Sequence, residues 1–355
     1  MNARSALECG SGAAAFATRA RPQGGSSRCR SPRRLRRCLA ALALSLWAVT
    51  CWAQENPCLT RAVTVGVFNS NDGPVKSLDA AHFRGRIQGG NVEIMSAKYD
   101  ATPRRIVFLV DTSAAMTQDQ ARWQSELAMA EGLVSWLPAQ APVALLTFAS
   151  SKPERIDFAQ GHKAVNDALA GLEGFTVAPG FSPAVSAETH LSDGIDQALA
   201  MLDPPKPGDA ICLISDANGD WNAKDAAEGK MSARGVRLFG FLPESALAQN
   251  SESQIQDAKG AAAIRGLIEA TGGDYLIFGS SPKKGATDLS PEDRSKLLVA
   301  SRSFAQEMSE TYRLEIRLPQ TVEGAREWTL EASADSKKKD SHWRVIYPKR
   351  LPKCP

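Results

Sequence analysis

Beyond residue 53 this chain of 355 residues has few of the groups that most often carry chemistry: three cysteines, Cys58, Cys212 and Cys354, and four histidines that form no cluster. No Cys/His zinc spacing, Gly-x-Ser-x-Gly elbow or phosphate-binding glycine loop occurs there, so nothing marks a zinc protein, a serine hydrolase or a nucleotide-phosphate site. No internal repeat is visible, which argues against a solenoid or propeller. Basic charge is also missing from the body of the chain. The formal net charge is +3, but residues 1 to 53 hold nine arginines and one acidic residue. Taking nine from 42 basic and one from 39 acidic residues leaves 33 against 38, a net charge of −5. A mildly acidic body offers no electrostatic reason to bind nucleic acid.

The basic N-terminus reads as a leader. Arg33, Arg34, Arg36 and Arg37 precede an apolar run from Cys38 to Ala53, 16 residues and short for a spanning helix, with small residues at Cys51 and Ala53 before Gln54. Residues 1–53 are therefore expected to be a signal peptide and leader, with the start codon at Met1 or further downstream, and the protein to be secreted or periplasmic with no stable membrane span after cleavage. Ala48-Val49-Thr50 before Cys51 matches a lipobox poorly, and the pair Arg33-Arg34 is weak evidence for twin-arginine export.

The three remaining cysteines divide by context. Cys212 lies in the apolar run AICLIS and behaves as a small buried hydrophobe. Cys58 and Cys354 lie at opposite ends of the mature chain, where an oxidising compartment permits one disulfide between them. Sequence leaves open whether they are bridged, because that depends on the distance between their Cα atoms.

What is present is an ordinary globular composition, 43% hydrophobic and 23% charged, with ample core. Its organising stretch is Ile106 to Met116, IVFLVDTSAAM. Five apolar residues run without alternation into Asp111, which suits a strand buried on both faces of a parallel sheet. The carboxylate then sits at the strand's C-terminal end, where open α/β sheets keep their ligand crevice.

From there strands and helices alternate. Thr117 to Gln120 has the form of a capping box before a helix with Trp123, Leu127, Ala130, Val134 and Leu137 on one face. PVALLTFAS, ERIDFA, AICLIS, VRLFGFL and DYLIFG read as strands, with helices near 163–171, 190–202, 224–233 and 260–271. The loop GFTVAPGFSPAVSAE is long enough to suggest a functional role or disorder. Ser290-Pro291-Glu292-Asp293 opens a last helix expected to run to about Tyr312. Short β-strands flank this region: Val63 to Val67, FRGRIQ and VEIMSAKY before it; Leu314 to Leu318, WTLEAS and WRVIYP after it. The tail is expected to lie beside the N-terminal β unit.

Three places converge at the strand ends. Asp111 and Ser113 close one strand, Asp216 closes another, and Thr189 begins the helix after the long loop. Such an all-oxygen set suits a hard cation such as Mg²⁺. Each residue also has a local reading: Asp111, Ser113 and Thr189 as helix caps, Asp216 as a turn former with Asn218-Gly219, and His190 as a solvated helix-start residue.

The ordered segments VFLVDTSAAM, ETHLSDGI and ICLISDANGD resemble a von Willebrand factor type A (VWA) domain, whose metal-ion-dependent adhesion site is an Asp-x-Ser-x-Ser motif, a distant Thr and a later Asp. The flank VTVGVFNSNDGPVKSLDAAHF and the strand-rich tail are similar to bacterial VWFA-related proteins of the acidobacterial type, over roughly residues 61 to 350. The resemblance implies an α/β fold with an open, mostly parallel, doubly wound sheet and helices on both faces, plus a small β unit built from the N- and C-terminal flanks. It also implies Asp111, Ser113, Thr189 and Asp216 as ligands of Mg²⁺ or Mn²⁺. Ala115 stands where the family has its second serine, and a methyl group cannot ligate, so the site is degenerate and its cation is weakly held. Asp216-Ala217, where the family usually has Asp-Gly, is a milder departure.

The expected organisation is a leader over 1–53, an N-terminal β unit over 54–103, a VWA-like domain over 104–312 and a β tail over 313–355. The expected function is an exported, non-enzymatic binding module that docks a protein or peptide partner at the strand-end crevice. One alternative is a metal-free scaffold in an envelope assembly. A remote one is a haloacid-dehalogenase-like phosphatase with Asp111 as nucleophile and Ser215 on the later strand. That family needs a second carboxylate two residues after the first, and residue 113 is serine.

Overall fold

In the computed structural model the described residues are 58–113, 116–117, 120–149, 154–172, 191–215, 224–243, 252–278, 290–333 and 343–354, without the side chains of 121, 122 and 252–258. The leader, the loop at 174–188 and the lysine run Lys337 to Lys339 lie outside them. No helix among the described residues is long and apolar enough to cross a membrane.

The chain enters through three antiparallel strands, β1 (Thr60–Phe68), β2 (Phe83–Ile87) and β3 (Gly90–Asp100). Gly89, at φ +82°, makes the tight turn from β2 into β3. After β3 the period changes.

A six-stranded sheet follows, from β4 (Ile106–Asp111), β5 (Val143–Phe148), β6 (Arg155–Ile156), β7 (Ala210–Ile214), β8 (Arg237–Pro243) and β9 (Tyr275–Phe278). The order is β6-β5-β4-β7-β8-β9, parallel except for the edge strand β6. The helices described over it are α1 (Gln120–Trp136), α2 (Gly161–Leu172), α3 (Leu191–Met201), α4 (Lys224–Arg234), α5 (Glu252–Thr271) and α6 (Pro291–Ser309). Strand alternation decides which helix meets which side chain. Ile106, Phe108 and Val110 point to one face and are buried with Trp123 and Leu127 of α1, Val165 and Leu169 of α2, and Phe304 and Met308 of α6. Val107 and Leu109 point to the other, against Ile195 of α3, Met231 of α4 and Ile264 of α5. The fold is a doubly wound α/β sheet with every residue of β4 buried. Cys212 of β7 is a free thiol in this core, and burial pushes its pKa well above the usual thiol range.

Helix α6 ends earlier than its sequence suggests. It stops at Ser309, with the Glu310 N–H closing on Gln306 O, and β10 (Thr311–Arg317) begins at once. Tyr312 belongs to that strand: its hydroxyl donates to Val75 O and accepts from Leu78 N, each at 3.0 Å, which ties it to the turn after β1. The remaining strands are β11 (Arg326–Ala332), β12 (Arg344–Ile346) and β13 (Arg350–Leu351).

The flanking strands do more than lie side by side. They form one seven-stranded sheet, β12-β1-β10-β3-β2-β11-β13, in which β10 from the tail is inserted between β1 and β3. If it were flat, β12 and β13 would stand six spacings apart, about 29 Å at about 4.8 Å each. Ile346 and Arg350 are four residues apart, a reach of at most about 14 Å. The sheet therefore curls, and residues 344–351 join its two margins, with Trp328 Nε1 donating to Pro348 O at 2.6 Å. Val65, Phe83, Leu314, Ile316, Trp328 and Leu330 share the enclosed core. Cys58 and Cys354 are disulfide-bonded at this closure, with Cα atoms 5.3 Å apart.

Candidate functional site

The site is built where the chain reverses its direction of winding. From β4 the chain moves to β5 on one side and later returns to β7 on the other, so the ends of β4 and β7 flank a topological switch point. The pairing of Val110 with Ile214 places Asp111 and Ser215 next to each other beyond the last rung.

Asp111 is fully buried. Its Oδ1 accepts the backbone N–H of Ser113 at 2.9 Å, and its Oδ2 accepts the Ser215 hydroxyl at 3.0 Å. A carboxylate removed from water costs several kcal/mol unless such donors replace its hydration, about one hydrogen bond per lone pair. Thr112 fixes the neighbouring backbone: its N–H and its hydroxyl both donate to Phe148 O, at 3.1 and 2.8 Å, pinning the end of β4 to the end of β5.

Ser113 starts the helix. Its Oγ accepts from Met116 N at 3.4 Å and its carbonyl accepts from Thr117 N at 3.2 Å. Thr117 thus lies in a helical turn, its hydroxyl also donating to Ser113 O at 3.2 Å, and Gln120 Nε2 donates to Thr117 O at 2.8 Å. Ser113 remains beside the carboxylate with an oxygen that has lone pairs to spare.

On the far side Gly194 of α3 makes close approach possible. A Cβ there would lie 3.2 Å from Phe148 Cγ and 3.4 Å from Leu109 Cδ1, so a glycine lets the start of α3 lie against the strand ends. Thr189, His190, Ala115 and Asp216 lie outside the described residues, as do most of the loops expected to form the rim.

Of the four expected ligands the structure describes Asp111 and Ser113, and it brings them together. It adds the Ser215 hydroxyl, which the metal-site reading left out. The register was the available signal, since Ser215 follows Ile214 as Asp111 follows Val110. A buried carboxylate beside two hydroxyls is the kind of hard donor set that fits Mg²⁺ or Mn²⁺, which favour oxygen ligands and retain waters. Among the described residues no group of three His, Cys, Asp or Glu could hold a metal.

Similar solved structures include an aerotolerance-related membrane protein from Bacteroides fragilis, at 15% identity over 58% of this chain and 98% of that one, with a TM-score of 0.39. BatB from Bacteroides thetaiotaomicron gives 16% identity over 57% and 98%, TM-score 0.37. A von Willebrand factor type A protein from Catenulispora acidiphila gives 10% over 86% and 76%, TM-score 0.39. A search of the curated proteins finds no match. Residues 106–218, from the first residue of β4 to just beyond Ser215, match the family model of the von Willebrand factor type A domain, and the chain is a VWA domain protein.

Proposed function

We propose that this protein is an exported, non-enzymatic binding module that docks a protein or peptide partner at the crevice between the ends of β4 and β7, through a weakly held divalent cation. VWA domains commonly mediate protein interactions, and the observation that carries the finer reading is the Asp111 carboxylate held between Ser113 and Ser215 at the switch point. Asp111, Ser113, Thr189 and Asp216 would hold Mg²⁺ or Mn²⁺, and the ion would supply an electrophilic point that an acidic group of the partner completes. The chain's own residues orient that point: Thr112 and Phe148 fix the backbone, and Ser215 aims the carboxylate. Residues 104–312 would form this module, with the flanks over 54–103 and 313–355 as its companion β unit and residues 1–53 as the leader. The Cys58–Cys354 bond supports an oxidising, secreted or periplasmic location.

The test is a titration of Mg²⁺ and Mn²⁺ into the purified protein, followed by heat and by thermal midpoint. The expected result is a weak, saturable shift that Ala115→Ser strengthens and Asp111→Asn abolishes. No heat and no shift in either the natural protein or Ala115→Ser would leave the metal-bridged reading without support and favour a metal-free scaffold. A pull-down from the native envelope then identifies the partner.

A further inference from the structure

A second feature lies away from that crevice. A cleft of about 640 Å³ opens between β1, helix α4 with the turn after it, and the C-terminal segment from Pro348 to Lys353. This volume falls in the range of small-molecule sites. Its walls are apolar at Pro207, Val236, Pro348 and Leu351. Its charged lining is almost all of one sign: Arg61, Arg234, Arg237, Arg350 and Lys353 against Glu228.

These cations are not equivalent. Arg350 is paired with Glu228 at 3.2 Å and with Glu327 at 3.3 Å, so its charge is met. Arg234 donates to Leu199 O at 3.3 Å, and the buried Arg237 donates to Glu307 O, Met308 O and Gly208 O, all of them neutral carbonyls. Arg61 donates Nη1 to Pro352 O at 2.5 Å, while its buried Nε and Nη2 find no partner among the described residues. The buried hydroxyl of Ser232, which lines the cleft from α4, has none either. Among the described residues no carboxylate lies in ion-pair range of Arg61, Arg234, Arg237 or Lys353. Partial burial holds the Arg61 guanidinium below its usual pKa.

We propose that this cleft binds a small organic oxyanion, a carboxylate or phosphate head on an apolar body, with Arg61 receiving the head and Ser232 donating to it. Nε and Nη2 form one side of the guanidinium fork, the side that meets two oxygens of a planar or tetrahedral oxyanion at once. The apolar walls take the body, and the exposed Lys353 and Arg234 raise the local anion concentration. The reading is independent of the crevice at Asp111: it uses other elements and no metal.

The experiment is isothermal titration of the full mature protein with four probes: octanoate, octyl phosphate, octanol and inorganic phosphate. The expected result is saturable binding of octanoate or octyl phosphate, at least about tenfold tighter than inorganic phosphate, with none of octanol. Preference between the first two tells carboxylate from phosphate ligands. Arg61→Met is expected to weaken the better probe about tenfold or more and Arg61→Lys less, because lysine keeps the charge without the fork. Ser232→Ala, which removes one oxygen at a half-buried position of α4, provides the comparison if Arg61→Met fails to fold. Asp111→Asn is expected to bind the probe normally. The proposal is overturned if neither amphiphile binds, if octanol binds as well as octanoate, or if Arg61→Met and Ser232→Ala both bind like the natural protein.

Discussion

Ser215 and Asp111 stand 104 residues apart in the chain, yet the hydroxyl of one donates to the carboxylate of the other at 3.0 Å across two neighbouring parallel strands. This contact joins the first and last segments of the VWA match and closes the switch point from below. Removing the hydroxyl leaves Asp111 Oδ2 short of this donor in a site from which water is excluded. Ser215→Ala is therefore expected to cost about 1–3 kcal/mol, read as a lowered urea midpoint with an unchanged slope. A loss under about 0.3 kcal/mol would mean that the contact does not support the carboxylate.

The disulfide encloses almost the whole described chain, with Cys58 and Cys354 separated by 296 positions in sequence. Loop-closure entropy for so long a segment has an upper value of about 5 kcal/mol, and strand pairing of β1 with β10 and β12 lowers what the bond adds. The double variant Cys58→Ser/Cys354→Ser is expected to unfold at lower temperature, with amides of β1, β12 and β13 exchanging faster than those of β4 and β7. Uniform acceleration across both sheets would contradict a local closing role.

Arg344 of β12 gathers three carboxylates: Asp72 from the turn after β1, at 3.0 Å, Asp274 before β9, at 2.6 Å, and Glu307 of α6. The two sheets meet here. Burial outweighs the arginine and raises Glu307 to a pKa of about 7, and burial raises Asp274 as well. Although burial acts against it, the charge of these carboxylates holds Arg344 above its usual value. A carboxyl whose pKa is raised by folding is more protonated in the native than in the unfolded state. Its contribution is thus fully present below the unfolded value, near 4.5, and is lost as pH rises to about 7. Stability is expected to fall across that window, and Glu307→Gln is expected to flatten the profile of urea midpoint against pH. A natural profile that rises from pH 4.5 to 7 with no change in Glu307→Gln would refute the assignment.

Gly272, at φ +79°, follows α5 where the tail docks on the α/β layer, and a Cβ there would lie 2.5 Å from Pro348 N. Lys349 N donates to Glu269 O at 2.9 Å beside it. Gly272→Ala combines left-handed strain with a clash against backbone, and is expected to cost more than about 2 kcal/mol. Calorimetry is the check. A thermal midpoint unchanged from the natural protein would show that the tail can move aside.

Much of the α/β layer was legible because its signals are local. IVFLVD has no polar position to turn outward, so a doubly buried strand follows from composition. Trp123, Leu127, Ala130 and Val134 recur at helical spacing and are buried together. The set Asp111, Ser113, Thr189 and Asp216 is what the resemblance to the VWA motif implies, and of it the structure describes Asp111 and Ser113, whose N–H donates to the Asp111 carboxylate.

The sequence by itself determined which segments are strands and helices, which faces are apolar, and that the two flanks are β-rich, because periodicity and burial preference are properties of short windows. Only the tertiary structure decided that β10 inserts between β1 and β3, that residues 344–351 close the curled sheet, and that Arg61 and Ser232 face one cleft. Those outcomes depend on which distant segments pair, and a half-exposed strand such as TYRLEIR fits several neighbours equally well until the layers beside it are in place.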